Sequence, residues 1–72
     1  MKRVIIPKGK LEVIVDQLYR CGVGIEPHVG NRALLVNIWN LALVGWIDFY
    51  YTSNGSFAEI NINDKYAKCI EN

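Results

Sequence analysis

The Asn54-Gly55 pair limits what this chain can fold into more than any other feature of its sequence. Two apolar stretches flank the pair, and Asn-Gly is favoured in tight hairpin turns because a type I′ turn needs positive φ at both central residues. We therefore predict a β-hairpin with this pair at its tip. A two-residue loop at that point makes Thr52 face Phe57 and fixes the pairing of every other residue in the two strands.

The predicted pairing sorts the side chains of this hairpin onto two faces of different chemistry. One face, the predicted core face, carries Ile47, Phe49, Tyr51, Ala58, Ile60 and Ile62. The other face carries Asp48, Tyr50, Thr52, Phe57, Glu59 and Asn61. Because side chains alternate along a strand, a slip of one residue would mix the two sets, so their separation supports the hairpin.

A second hairpin is predicted just before the first, with strands at residues 33–39 and 43–52. Pairing Ile38 with Leu43 around a tight turn places Leu34, Val36 and Ile38 on the core face. Gly45 falls on the same face, where we expect it to admit a close approach of a helix. A continuous helix over residues 33–47 is the alternative, because apolar side chains in this stretch also fit one side of a helix.

The N-terminal third predicts a strand followed by a helix. Residues 3–6 form a short apolar strand that Pro7 ends. Residues 10–21 form an amphipathic helix that Gly22 stops. Its apolar side chains recur at the spacing of one helix face, at Leu11, Ile14, Val15 and Leu18. We interpret residues 22–32, which contain three glycines, as a loop.

A short final helix over residues 65–71, capped by Asp64, completes the prediction. The fold class is then α+β: a small single domain over residues 1–72 with the element order β-α-β-β-β-(α). Its sheet is four-stranded and mostly antiparallel, with one long helix on one face. A chain of this size buries only about 60% of its unfolded surface, so a partner or an oligomer would help to stabilise it.

The two cysteines, Cys21 and Cys69, are predicted to be buried free thiols of a cytoplasmic protein, because no secretory signal precedes them. A disulfide that ties the helix to the C-terminus is the alternative for an exported or hyperthermophilic source. The longest apolar stretch, residues 33–47, is shorter than the about 20 residues of a membrane-spanning helix, so no membrane contact is predicted.

No set of catalytic residues is apparent in the sequence. His28 is the only histidine, and no motif brings it to Cys21 or Cys69 to make a nucleophile–base pair or a zinc site. We therefore expect neither a metal nor a cofactor and predict that the protein is not an enzyme.

The second face of the predicted sheet suggests how the protein works. Besides the hairpin residues it should display Leu35, Asn37, Trp39, Val44 and Trp46. Aromatic residues of this kind are enriched at protein interfaces. We predict a protein-binding or self-associating module, such as a regulator or inhibitor, that uses this face or a sheet edge. The predicted contact residues are Trp39, Trp46, Asp48, Tyr50, Phe57 and Glu59.

Nucleic-acid binding is the alternative use of exposed aromatic residues, which can stack on bases. Such a surface needs cations for the phosphates, and residues 33–64 contain no Lys or Arg. The cations that could surround the sheet come mostly from the N-terminal segment: Lys2, Arg3, Lys8, Lys10 and Arg32.

Overall fold

The computed structural model describes residues 1–70 and shows an α+β fold, as the sequence predicts. Its elements in chain order are β1 (Lys2–Pro7), α1 (Leu11–Arg20), β2 (Val23–Pro27), β3 (Arg32–Asn37), β4 (Leu43–Thr52), β5 (Gly55–Ile62) and α2 (Asp64–Ala67). The strands form one sheet in the order β1-β5-β4-β3-β2. Every neighbouring pair is antiparallel.

The prediction of four strands is wrong, because residues 22–32 contain a fifth strand, β2. Its short Val23-Gly24-Ile25 stretch is surrounded by glycines and by Pro27, which made the segment resemble a loop. β2 lies at the edge of the sheet, where proline is tolerated because one side of the strand needs no backbone donor.

The prediction of one long helix is also wrong. α1 has ten residues and is therefore about 15 Å long. The predicted apolar spacing is nevertheless found, since Leu18 is fully buried and both Leu11 and Ile14 pack against the core. At the C-terminal end of α1, Gly22 adopts φ +82° and donates its N–H to the carbonyl of Tyr19.

The final helix, α2, is shorter than predicted and is capped by a different residue. The side chain of Asn63, rather than that of Asp64, accepts a hydrogen bond from the N–H of Lys65 at 2.9 Å. The predicted end of this helix at Glu71 lies outside the described residues.

The core lies on one side of the sheet, beneath both helices. Its fully or almost fully buried members come from the strands, from α1 and from the C-terminal segment: Ile6, Leu18, Val23, Leu35, Val44, Ile47, Ala58, Ile60, Ile62, Ala67 and Ile70. Because α1 and α2 share this side, the other side of the sheet has no helix from residues 1–70 on it.

The β4–β5 hairpin exists, but its register differs from the prediction by two residues. Thr52 faces Gly55, so Ser53 and Asn54 form the tip and Phe57 faces Tyr50 instead of Thr52. The hydroxyl of Thr52 holds this turn by donating to the carbonyl of Gly55 at 2.7 Å. A shift of two residues leaves each side chain on its predicted face, so the division of the hairpin side chains between the two faces is unchanged.

The β3–β4 pairing differs by one residue, and this shift changes the faces. Leu35 faces Gly45 and Val36 faces Leu43, so β4 has one extra residue, Val44, in a β-bulge. Leu35 and Val44 are therefore buried in the core instead of lying on the second face, whereas Leu34 and Val36 leave the core face. The strands also exclude the alternative of a continuous helix over residues 33–47.

Gly45 admits a close approach, as predicted, but the approaching group is not the helix. A Cβ atom at Gly45 would lie against the carbonyl oxygen of Asn61 and 2.8 Å from the Cα atom of Ile62. The backbone of β5 therefore occupies the space that a side chain at position 45 would need.

Cys21 and Cys69 form a disulfide, so the prediction of free thiols is wrong. The bond joins the residue after α1 to the C-terminal segment, across 48 positions of sequence. Ile70 next to it is buried in the core, so the disulfide holds this segment against the sheet.

Candidate functional site

The candidate site is the open face, by which we mean the side of the sheet turned away from α1 and α2. Alternation along the five strands places these side chains on it: Arg3, Ile5, Glu26, Arg32, Leu34, Val36, Trp46, Asp48, Tyr50, Phe57, Glu59 and Asn61. Five of the six predicted contact residues belong to this set, and the sixth, Trp39, does not.

Two rows of directly facing residues cross the open face. The first, the Trp46 row, crosses all five strands in the order Glu26, Leu34, Trp46, Asn61 and Arg3. The second, the Asp48 row, runs from β3 to β1 in the order Arg32, Asp48, Glu59 and Ile5. β4 is the middle strand of the sheet and contributes the central residue of each row.

Arg32, Asp48 and Trp46 form a cluster at the centre of the open face. The Nε and Nη2 atoms of Arg32 donate to the two carboxylate oxygens of Asp48 at 2.7 and 3.0 Å. The guanidinium carbon lies 5.1 Å from the centroid of the Trp46 ring, which is cation–π geometry. Asp48 is only 7% exposed, so the arginine covers the carboxylate and fills part of the face.

This pairing shifts the pKa of both groups. The hydrogen bonds from Arg32 hold the pKa of Asp48 below its ordinary value, although partial burial opposes the shift. The hydrogen bond to Asp48 likewise raises the pKa of Arg32. Both side chains are therefore charged at neutral pH, and their charges are compensated within the chain.

An aromatic pair lies next to this cluster. The rings of Tyr50 and Phe57 stack with their centroids 5.0 Å apart and their planes 22° from parallel. Tyr50 is 36% exposed and Phe57 is half-buried. The stack and Trp46 together give the middle of the open face a largely aromatic surface.

A second ion pair lies toward the β1 edge. The Nε atom of Arg3 is 3.0 Å from a carboxylate oxygen of Glu59, which also accepts a weak hydrogen bond from Asn61 at 3.4 Å. Glu26, on the opposite edge strand β2, is exposed and forms no ion pair within residues 1–70.

Trp39 lies in the loop between β3 and β4. Its ring packs over Gly22, in the space where a Cβ atom would otherwise lie, yet 77% of the residue is exposed. The side chain of Asn37 organises this loop by accepting hydrogen bonds from the N–H groups of Trp39 and Asn40. Leu41 in the same loop has φ +61°, a left-handed conformation that is rare for leucine.

The five residues of the nucleic-acid alternative do not form one surface. Arg3 and Arg32 lie on the open face, and each is paired with a carboxylate. Lys8 and Lys10 lie in the turn between β1 and α1, and Lys2 begins β1.

His28 and the two cysteines, which the sequence analysis considered as a catalytic pair or a zinc site, also lie in different parts of the fold. His28 is exposed in the turn after β2, whereas Cys21 precedes β2 and is bonded to Cys69. Within residues 1–70, no group of three or more His, Cys, Asp or Glu side chains is arranged to hold a metal ion. No helix in this part of the chain has the length and apolar character of a membrane span.

Sequence reasoning missed three features of the open face. The sequence predicts Arg32 only as a phosphate ligand, although it completes the cluster with Asp48 and Trp46. It also predicts Leu34 in the core and Glu26 in a loop. A correct β3–β4 register would have revealed the first two, because Arg32 faces Asp48 and Leu34 faces Trp46.

Comparison of this chain with protein-family models, with curated proteins and with solved structures gave no match.

Proposed function

We propose that this protein is a non-enzymatic protein-binding module and that the open face is its contact surface. The observation that carries the proposal is the make-up of this face. Aromatic and aliphatic side chains surround two ion pairs that are already formed within the chain. A surface that faces only water would more commonly carry unpaired lysines and glutamates.

The aromatic side chains supply the contact area of this surface. Trp46 and Tyr50 lie on the same side of β4, one before and one after Asp48, and Phe57 stacks on Tyr50. Residues of this type dominate the binding energy of protein interfaces, and apolar patches on the surface of a protein mark contact sites. They form the centre of the proposed interface.

The ion pairs reduce the free-energy cost of burying the open face under a partner. When a partner excludes water, Arg32 and Asp48 remain paired, and an isolated buried charge is avoided. The two-point hydrogen bond also holds the arginine side chain in one position. Little side-chain entropy is then lost on binding, which favours association. Asp48 and Glu59 thus contribute by fixing the arginines that shape the surface.

Trp39 remains in the proposal as a peripheral contact. Its ring is largely exposed, and Ile38 beside it packs toward Gly24 at the margin of the open face. A module of this kind either self-associates or acts as a regulator or inhibitor of the protein that it binds.

The predicted cytoplasmic location is opposed by the Cys21–Cys69 disulfide, because reducing compartments keep most thiol pairs open. The proposed partner is a protein and not a membrane.

Nucleic-acid binding remains the weaker alternative. The two arginines on the open face are already paired with Asp48 and Glu59, which leaves less positive charge for phosphates. If this alternative were correct, binding would weaken steeply with added salt and would be lost on changing Lys8 and Lys10.

Two neighbouring tyrosines allow a direct test of the protein-binding proposal. Tyr50 lies on the open face, whereas Tyr51 points to the helix side and is 84% exposed. A photo-crosslinking phenylalanine analogue is placed at position 50 or, as the matched control, at position 51, and the protein is irradiated in its native cells. We expect a covalent protein adduct of discrete mass from position 50 and none from position 51.

The mass of the adduct identifies the class of partner. A mass of twice the chain indicates a second copy, and any other discrete protein mass indicates a different partner. Equal yields from both positions, or no protein adduct from position 50, would overturn the proposal.

A further inference from the structure

We infer that the partner of the open face is a second copy of this chain, related to the first by a two-fold axis parallel to β4. This inference rests on the proposed function, since it uses the same face. It adds the identity of the partner and the geometry of the pair.

The strand order is symmetric about β4, which is compatible with such an axis. β4 is the central strand, with β5 and β1 on one side and β3 and β2 on the other. A rotation of 180° about an axis parallel to β4 and above it places β5 of the second copy over β3, and β1 over β2. Positions along the strands do not change, so each row of the first copy meets the same row of the second.

The charged residues of the outer strands then meet residues of opposite sign. In the Trp46 row, Glu26 on β2 faces Arg3 of the second copy. In the Asp48 row, Arg32 on β3 faces Glu59 of the second copy. The symmetry repeats each pairing, which gives four contacts between opposite charges.

The chain leaves groups available for these contacts. Glu26 is exposed and has no ion-pair partner within residues 1–70, and Arg3 is 66% exposed at its side chain. Arg32 uses two of its five N–H donors on Asp48, so donors remain for a second carboxylate. The rotation keeps the two copies of β4 parallel, and the long arginine side chains can span the gap of about 10 Å between packed sheets.

The residues on and near the axis also fit this arrangement. Trp46 and Tyr50 each face their own copies across the axis, which brings aromatic rings together at the centre. Asp48, which lies between them on the same side of β4, also faces its own copy, and each carboxylate there is compensated by the Arg32 of its own chain. Phe57 on β5 lies over the start of β3, close to Gly30. No atom lies within 4 Å of the Cβ position of Gly30, so there is room for the ring.

The other two-fold axis in the plane of the sheet, perpendicular to the strands, gives no such match. Placed between the two rows, it puts Arg32 over Leu34 and Glu59 over Asn61, so these charges meet uncharged groups. Placed on either row, it puts every charged residue of that row over its own copy, whereas the axis parallel to β4 does so only for Asp48, whose charge Arg32 compensates. The charge pattern therefore selects the axis parallel to β4.

The expected dimer is small. Five strands span about 24 Å at the usual strand spacing, which gives an interface at the low end of the specific range. We therefore expect the dimer to form reversibly and to dissociate on dilution.

The test uses charge reversals that interrupt and then restore the pairing. E26K places two lysines against Arg3 across the axis, and R3E places two glutamates against Glu26. Each single variant should dimerise at least about tenfold more weakly than the wild type, because like charges then face each other twice. An equimolar mixture of E26K and R3E should recover association, since both outer contacts become attractive in the mixed pair. Sedimentation velocity over a dilution series measures each equilibrium.

Matched controls separate pairing from folding and from net charge. Circular dichroism checks that each variant is folded, and E12K makes the same charge change as E26K on the exposed side of α1. E12K should dimerise like the wild type. Wild type that stays monomeric at the highest attainable concentration, or a mixture that associates no better than the single variants, would overturn the inference. A crosslinked adduct of another mass from position 50 would also overturn it while leaving the protein-binding proposal intact.

Discussion

Arg32 donates two hydrogen bonds, of 2.7 and 3.0 Å, to the carboxylate of Asp48 on the adjacent strand, and its guanidinium lies over the ring of Trp46. This relationship places a charged group in the middle of an aromatic face without leaving it unpaired. It also makes Arg32 part of the contact surface that we propose.

Replacing Arg32 with alanine should lower the thermal midpoint more than replacing Arg3 with alanine. Asp48 is 7% exposed and would keep a poorly solvated carboxylate without its partner, whereas Glu59 is more exposed and would be better hydrated. Differential scanning calorimetry at neutral pH measures both variants. Equal losses would indicate that the Arg32–Asp48 pair behaves like an ordinary surface pair.

The Arg32–Asp48 pair should also make stability depend on acid. The pKa of Asp48 is lowered by the hydrogen bonds from Arg32, so the pair stabilises the fold fully above the unfolded-state pKa of about 4. This contribution is lost as the pH falls through the lower pKa of the folded state. Denaturant unfolding should therefore show the wild-type advantage over Asp48→Asn shrinking below about pH 4 and constant above about pH 5. An advantage that grows as the pH falls would contradict the assigned pairing.

Gly45→Ala should be among the most damaging small substitutions in this chain. The added methyl group would meet the backbone of Asn61 and Ile62, which cannot rotate away as a side chain can. We expect a loss of about 1–3 kcal/mol in the free energy of unfolding, measured by chemical denaturation. Gly24→Ala is the control, because the nearest atom there is a methyl carbon of Ile38 at 3.1 Å, and its loss should be smaller.

Leu41→Asn should stabilise the protein. Leu41 adopts φ +61° while 67% exposed, so the substitution relieves an unfavourable backbone conformation and loses little packing. Asparagine tolerates this conformation better, and the expected gain is about 0.5–1 kcal/mol. The control is Leu43→Asn at a similarly exposed residue in a strand, where we expect no gain. Equal effects at the two positions would show that the left-handed backbone is not the cause.

Removing the disulfide should destabilise the fold strongly. The bond closes a loop of about 50 residues, for which chain entropy predicts about 4 kcal/mol, and measured losses for native disulfides run from about 2 to 5 kcal/mol. The double variant Cys21→Ser, Cys69→Ser should unfold at correspondingly lower denaturant concentration. Hydrogen exchange should show the largest added loss of protection near Ile70 and Ala67, which the bond holds in the core. Uniform loss across the sheet would argue against a local role.

Part of the candidate site could be predicted from the sequence, because the error in the predicted β4–β5 register leaves every side chain on its predicted face of the sheet. The true pairing differs by two residues, and an even shift returns each side chain to the same side. Asp48, Tyr50 and Phe57 were therefore assigned to the correct face. Trp46 was correct as well, since it precedes them on the same strand.

The pairing of β3 could not be predicted in the same way. The bulge at Val44 shifts the register by one residue, which moves Leu35 into the core and Leu34 onto the open face. A bulge is fixed by contacts with both neighbouring strands and with the core, and no local pattern marks it. For the same reason the sequence did not pair Arg32 with Asp48.

The α+β class, the buried face of α1 and the two sides of the β4–β5 hairpin could all be predicted, because alternation and helical spacing are properties of short stretches of chain. The fifth strand, the bulge at Val44 and the bond between Cys21 and Cys69 became visible only in the folded chain. Each of these depends on which distant segments meet. That outcome is set by how the whole core packs and cannot be found in any one stretch of residues.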